Sequence, residues 1–350
     1  MVRCDEGLAF MLQYENVAWY ENGAVKILDR RVYPASVEYV TCHRHEEVAK
    51  AIHDMVTQSA GPYTAAGMGM ALAAFESKML PKAEQWAYLE KAAYTLSHAR
   101  PTTVTRMEQV VAGCLRAARQ ALDEGRSAEE AIFLCTIESL NRRYTTMEHI
   151  GEILVEQFPQ GGNVLTQCFG EVITGMMLRA AHKYNPNVHI YCAETRPYLQ
   201  GARLTASCCQ DMGFDTTVIS DNMIAYTMAE KGIDVFTSAS DTITCDGYVA
   251  NKVGTYQIAI VSKHFGVPFY VTGNPDAAKK TGSDIVIEQR DPEEVLSFRG
   301  VKHTLDGVKA LYPSFDITPP ELITGIITDK GIYRPATLNT YFDTPVKPYY

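Results

Sequence analysis

No Cys-x-x-Cys pair, no evenly spaced cysteine framework and no surplus of basic residues occur in this chain of 350 residues. The first two absences argue against a zinc ribbon or a disulfide scaffold, and nine scattered cysteines, an odd count, read instead as reduced thiols. The third excludes broad polyanion binding. Forty-one Asp and Glu against 32 Lys and Arg leave a net charge of −9, whereas a nucleic-acid or anionic-membrane binder needs a wide basic face. A small anionic ligand is still allowed, because one or two local cations can hold it. The opening Met1-Val2-Arg3-Cys4-Asp5-Glu6 has no cationic start leading into an apolar core, so no export signal is expected and a reducing cytoplasm is the expected location. The longest uncharged run, residues 55–75, contains Gln58, Ser59, Gly61, Pro62, Gly67 and Gly69 and reads as a loop entering a buried helix, not a bilayer span. Also missing are Gly-x-Gly-x-x-Gly after a strand, Gly-x-x-x-x-Gly-Lys-Ser/Thr and Gly-x-Ser-x-Gly. Dinucleotide binding, P-loop hydrolysis and serine-hydrolase chemistry therefore lack their usual signatures.

Apolar residues at 46% and charged residues at 21% are globular proportions, and the length favours two domains at roughly 150 residues each. Residues 1–150 carry a mainly helical pattern. Val17-Ala18-Trp19-Tyr20, the turn Glu21-Asn22-Gly23 and Ala24-Val25-Lys26-Ile27-Leu28 read as a hairpin. Helices are expected over 46–59, 65–79, 83–97, 104–124 and 128–143, the last with Ser127 as N-cap and Glu130 at the capping-box position. After Gln160-Gly161-Gly162-Asn163 the rhythm changes, and the domain junction is expected between 145 and 162. Strand-like runs at 164–167, 188–192, 216–219, 235–238 and 269–272 alternate with helical patterns at 171–184, 201–212 and 254–265. That alternation predicts an α/β domain over 151–350, a Rossmann-like parallel sheet flanked by helices.

Ligands of such sheets bind beyond the carboxyl ends of the strands. Those ends carry Cys168, Glu194 and Arg196, Asp221, Asp241 and Asn274. Cys168 precedes an expected helix start, which would lower its pKa; packing as a small hydrophobe is the bland alternative. Asp241 follows a near-apolar strand, where desolvation would raise its pKa toward the acid–base range, although a helix or turn cap is an equal reading. Asn251 and Lys252 stand near the start of the expected 254–265 helix, a setting suited to phosphate. Cys42-His43-Arg44-His45 offers metal-ligating side chains, but a solvated helix start explains it better, and no metal is expected.

The segment Ala193-Glu194-Thr195-Arg196-Pro197-Tyr198-Leu199-Gln200-Gly201-Ala202-Arg203-Leu204-Thr205 is long and specific. With Asp241, residues 246–256 (Asp246-Gly247-Tyr248 through Thr255-Tyr256) and Val267-Pro268-Phe269-Tyr270-Val271, it closely resembles the methylthioribose-1-phosphate isomerase family. That family is related to ribose-1,5-bisphosphate isomerases and to regulatory subunits of translation initiation factor 2B. Ala99-Arg100-Pro101-Thr102-Thr103-Val104, residues 315–323 (Phe315-Asp316-Ile317 through Leu322-Ile323) and Glu46-Glu47-Val48-Ala49-Lys50-Ala51-Ile52 extend the likeness over nearly the whole chain. The resemblance implies a homodimer, no cofactor, a role in methionine salvage and interconversion of an aldose 1-phosphate with its ketose 1-phosphate. It implies Cys168 and Asp241 as the catalytic pair, Arg100, Asn251 and Lys252 as phosphate contacts, and Gln200 as a sugar contact.

Departures gather around the implied site. Gln58 stands where the family carries an arginine before Gly-Ala-Pro-Ala-Ile-Gly, which weakens a phosphate site or leaves room for another substituent. The family's Thr-His-Cys-Asn-Ala-Gly is Thr166-Gln167-Cys168-Phe169-Gly170-Glu171 here, and its Gly-Ala-Asp is Ala239-Ser240-Asp241. The expected substrate is thus methylthioribose 1-phosphate or a close analogue such as 5-deoxyribose 1-phosphate. A ribose-1,5-bisphosphate-type isomerase and a non-catalytic sugar-phosphate-sensing subunit are the alternatives.

Overall fold

The structure, a computed structural model, describes residues 3–100, 104–298 and 300–345. Pro101, Thr102 and Thr103 of the Ala99–Val104 motif, and residues 346–350 of the expected second domain, lie outside the described residues. The chain divides into two compact units after Thr145, within a continuous helix.

In the first unit β1 (Trp19–Glu21) and β2 (Ala24–Leu28) form the expected antiparallel hairpin. Its turn, Asn22-Gly23, has φ of 51° and 76°, both positive as the right-handed strand twist requires of a two-residue loop. A third strand, β3 (Tyr39–Cys42), adds to β2; its outward Tyr39 and Thr41 gave it no apolar signature. After the short α1 (Tyr14–Val17) come α2 (His45–His53), α3 (Gly61–Ser77), α4 (Lys82–Ser97), α5 (Val104–Asp123) and α6 (Ala128–Val155). The 46–59 expectation overran: α2 stops at His53, and the loop beyond it turns at Met55 and Ser59 with positive φ. The 128–143 expectation stopped short, for α6 runs on to Val155, past the junction of the units. Its start is as expected, the Ser127 hydroxyl accepting the Glu130 N–H at 3.3 Å.

The uncharged 55–75 run is indeed a loop followed by a buried helix, α3. Gly67 explains part of that burial: a Cβ there would sit 2.6 Å from Thr136 Cγ2, so glycine lets α3 lie against α6. Among the described residues no helix is long and apolar enough to cross a membrane. His45 does not sit at a solvated helix start. It is buried, with Nδ1 2.8 Å from Glu76 Oε2.

The second unit is a mixed α/β layer structure. Its strands are β4 (Asn163–Gln167), β5 (His189–Ala193), β6 (Thr216–Ile219), β7 (Val235–Ala239), β8 (Thr242–Ile243), β9 (Val249–Lys252) and β10 (Phe269–Thr272). Beyond them come β11 (Ser297–Phe298), β12 (Val301–Lys302), β13 (Phe315–Thr318), β14 (Gly325–Thr328) and β15 (Gly331–Tyr333). Among the described residues the main sheet has seven strands in the order β15-β14-β10-β7-β4-β5-β6. All neighbours are parallel except β14 and β15. Helices α7 (Val172–Tyr184), α8 (Ala206–Asp211), α9 (Ile224–Lys231) and α10 (Thr255–Phe265) lie between strands in the chain, with the short α11 (Glu293–Leu296) preceding β11. The core packs Phe236 of β7 on Phe269 of β10, both fully buried, with ring centroids 4.3 Å apart.

Taken in chain order, the parallel strands run outward from β4 to β6 on one side, then resume beside β4 with β7, β10 and β14. The direction of winding therefore reverses between β4 and β7. That is the topological switch point, where open α/β sheets bind ligands. A smaller antiparallel sheet, β13-β9-β8, follows β7 and carries Asn251 and Lys252 at the end of β9.

Candidate active site

Cys168 follows β4 and Asp241 follows β7, the two strands flanking the switch point. The Asp241 backbone N–H donates to Ala250 O at 3.0 Å, which fixes this carboxylate-bearing residue beside the Asn251-Lys252 end of β9. Lys252 is buried, with Nζ 4.6 Å from the centre of the Phe315 ring, a cation–π contact that holds the ammonium in place. Its charge pulls the Cys168 pKa down, while Asp241 and Asp221 push it up. Lys252 and Asp241 thus act on the Cys168 thiol with opposite sign.

Two electrostatic expectations fail here. The Cys168 thiol is pushed up to about 11, because burial outweighs the Lys252 charge. The expected helix dipole does not reverse this: α7 begins only at Val172, after a loop through Phe169, Gly170 and Glu171. Asp241 is exposed, not buried behind the apolar strand as expected, since it lies two residues past the end of β7.

The expected phosphate site at the start of α10 is also changed. The N–H groups of Gly254 and Tyr256 donate to the Asp316 carboxylate at 2.6 and 3.1 Å. A carboxylate thus already occupies this helix end, and a substrate phosphate would rely on the side chains of Lys252 and Asn251. Burial raises Asp316 to about 6 despite those hydrogen bonds and the nearby Lys252.

The strand ends are shaped by unusual backbone. Cys168, Glu171, Thr195 and Leu199 have φ of 60°, 51°, 63° and 59°, conformations that cost side-chain-bearing residues about 1–3 kcal/mol each and collect at functional sites. For β-branched Thr195 the strain is greatest. Gly201 packs where no side chain fits, a Cβ falling 1.8 Å from Ala193 O. From Gly201 to Thr205 the helix opens into a π turn, a feature frequent at functional sites. Gln200, just before it, is buried with Oε1 lacking a hydrogen-bond partner, as suits an acceptor facing a ligand hydroxyl.

Gln58 and Arg100 belong to the first unit. Gln58 is buried in the loop before α3, with Nε2 3.5 Å from Met55 O and Oε1 unpartnered; Arg100 is half-buried after α4. Of the other strand-end candidates, Asp221 accepts the N–H groups of Thr195 and Arg196 at 2.8 and 2.7 Å. Arg196 donates to the carbonyls of Pro197, Val295 and Ser297, each at 3.4 Å. Both act as ties between loops. Sequence reasoning missed Glu294 and Tyr312. Burial raises both pKa values, and each feels a site group, Lys252 for Glu294 and Cys168 for Tyr312. Neither lies at an end of the main sheet's strands, so strand-end logic had no signal for them.

A parallel sheet in this order, with a thiol, a carboxylate and a lysine around its switch point, defines an α/β domain built to bind and transform a small ligand. Comparison with known proteins sharpens the class. Residues 59–335 match the initiation factor 2 subunit family. The methylthioribose-1-phosphate isomerase of Chloroflexus aurantiacus is 38% identical over 334 residues, covering 91% of this chain and 95% of the relative. The crystal structure of 5-methylthioribose 1-phosphate isomerase from Pyrococcus horikoshii OT3 superposes with a TM-score of 0.83 at 32% identity, covering 93% of this chain and 94% of that one. That of translation initiation factor eIF-2B, subunit delta, from A. fulgidus gives 0.80 at 31%, covering 92% and 96%. The chain belongs to the initiation factor 2 subunit family and, within it, to the methylthioribose-1-phosphate isomerase family of enzymes.

Proposed function

We propose that this protein is an aldose–ketose isomerase that converts a pentose 1-phosphate to the ketose 1-phosphate, with Cys168 and Asp241 as the catalytic pair and methylthioribose 1-phosphate as the first substrate to test. The observation that carries the reading is Cys168 and Asp241 on the two strands that flank the switch point. The relatives named for this activity add to it. In the reaction one hydrogen passes from C2 to C1, so C2 is oxidised and C1 reduced within one molecule. No external oxidant or reductant enters the balance.

Phosphate on the anomeric oxygen blocks spontaneous opening to an aldehyde, so the enzyme must break the bond between C1 and the ring oxygen itself. A thiol raised to about 11 keeps its proton at neutral pH. Cys168 is therefore suited to protonate the departing ring oxygen as a general acid rather than to attack as a thiolate. Asp241 is the matching base, taking the proton of the C2 hydroxyl as the carbonyl forms. In the second unit Lys252 and Asn251 are read as phosphate contacts and Gln200 as a sugar contact; for the first unit the family resemblance assigns Arg100 a phosphate-contacting role and makes Gln58 the neutral replacement of an arginine.

The test is product analysis by 31P and 13C NMR with methylthioribose 1-phosphate, 5-deoxyribose 1-phosphate, ribose 1,5-bisphosphate and the corresponding free sugars. Ketose phosphate from at least one phosphorylated pentose, and none from the free sugars, supports the reading. Ligand-induced thermal stabilisation without conversion of any of them would replace it with a sugar-phosphate sensor.

A further inference from the structure

One side chain joins the thiol end of this site to its lysine end. The geometry points to Gln167 as a positioning residue that holds the Cys168 turn and the Asn251-Lys252 strand end in register, an inference that rests on the isomerase reading above. Gln167 is the last residue of β4 and is 4% exposed. Its Nε2 lies 3.1 Å from Lys252 O. A backbone carbonyl can only accept, so the amide NH2 must face Lys252 and Oε1 must face away from it. The same NH2 donates to the Thr255 hydroxyl.

On the other side Gln167 Oε1 lies 3.3 Å from Thr195 Oγ1, which accepts the Cys168 backbone N–H at 2.8 Å. The single Thr195 hydroxyl hydrogen is shared between Gln167 Oε1 and Ala193 O, the latter at 3.1 Å. At the far end the Thr255 oxygen accepts from Gln167 and from Asn251 Nδ2, at 3.0 Å, and gives its proton to Lys252 O at 2.8 Å. Both lone pairs and the hydrogen of that hydroxyl are thus committed.

The chain of bonds therefore runs from Cys168 N–H through Thr195, Gln167 and Thr255 to Asn251. It crosses three segments that are remote in sequence, and Gln167 bonds to the other two. Two of its members, Cys168 and Thr195, hold positive φ, so the geometry they present depends on surrounding bonds rather than on local preference. An amide donating on one side and accepting on the other is what these two partners require. An apolar residue of the same length fills the space but sets neither.

The test compares Gln167→Met, which is similar in volume and neutral, with Gln167→His, whose ring N–H can replace the donor to Lys252 O. Three readouts separate positioning from mere packing: kcat and KM for methylthioribose 1-phosphate, the pH midpoint of Cys168 alkylation by iodoacetamide, and thermal stability. Gln167→Met should lower kcat by about tenfold to a hundredfold, the scale of an ångström-sized misplacement. It should also move the alkylation midpoint upward, because Lys252 no longer sits close enough to oppose the effect of burial. Gln167→His should recover a large part of both. Wild-type kcat and an unchanged alkylation midpoint in Gln167→Met overturn the inference, whatever happens to the melting temperature. Should Gln167→Met fail to fold, Thr195→Val breaks the chain between Cys168 and Gln167, leaves the Gln167 bonds to Lys252 and Thr255 in place, and is read in the same way. If the wild type converts no pentose 1-phosphate, the isomerase reading fails separately, and the alkylation midpoint still decides for or against Gln167.

Discussion

Cys168 illustrates how burial can overrule the chemistry that sequence position implies. A cysteine before a helix reads as an activated thiolate, yet here the helix starts late and the thiol is pushed up to about 11 from an ordinary value of 9.0. The native thiol holds its proton more tightly than the unfolded one. Its contribution to stability is therefore complete below pH 9 and is lost as the pH rises through 11. Alkylation of native Cys168 should titrate with a midpoint near 11, and that of the denatured chain near 9. Lys252→Met should raise the native midpoint and Asp241→Asn should lower it, because these charges act on the thiol with opposite sign. Mass spectrometry of the Cys168 peptide after timed iodoacetamide exposure measures all three, and a native midpoint unmoved by both substitutions would show that the groups do not share a site.

The turn formed by Thr195, Leu199 and the π stretch Gly201–Thr205 brings Gln200 to the end of β5. Gly201→Ala would force a methyl group to within 1.8 Å of Ala193 O. Backbone cannot yield as a flexible side chain can, so a loss of about 1–3 kcal/mol is expected, as for overpacking, readable as a lower urea midpoint. An unchanged midpoint would mean that the π turn opens to accept the methyl group. Much of this architecture was legible in the sequence. The β-branched runs announced β4, β5, β6, β7 and β10 to within a residue or so, since buried parallel strands are short and apolar. β9 was hidden because all four of its residues are buried although two are Asn and Lys, so no apolar alternation marked it. β14 and β15 escaped as well; one is a short Gly-Ile-Ile-Thr run, and the other is half-exposed at the sheet edge.

At the scale of the whole chain, the decisive fact is strand order, which no local pattern encodes. Cys168 and Asp241 were each readable as strand-end residues, but their placement after adjacent strands at the switch point follows from β7 pairing with β4. The Gln167 link to Thr255, 88 positions away, is invisible to periodicity for the same reason. Charge works on the same scale: a net −9 disfavours polyanions, although the second unit still buries one cation, Lys252, at the end of β9. The measurement that tests the account most directly is turnover of methylthioribose 1-phosphate by Cys168→Ser and Asp241→Asn, followed by 13C NMR of a C1-labelled substrate and accompanied by circular dichroism to verify folding. The wild type should accumulate ketose 1-phosphate while both folded variants lose at least about a thousandfold in kcat, of the order expected when a proton-transfer group is removed. Wild-type turnover in either folded variant would contradict it.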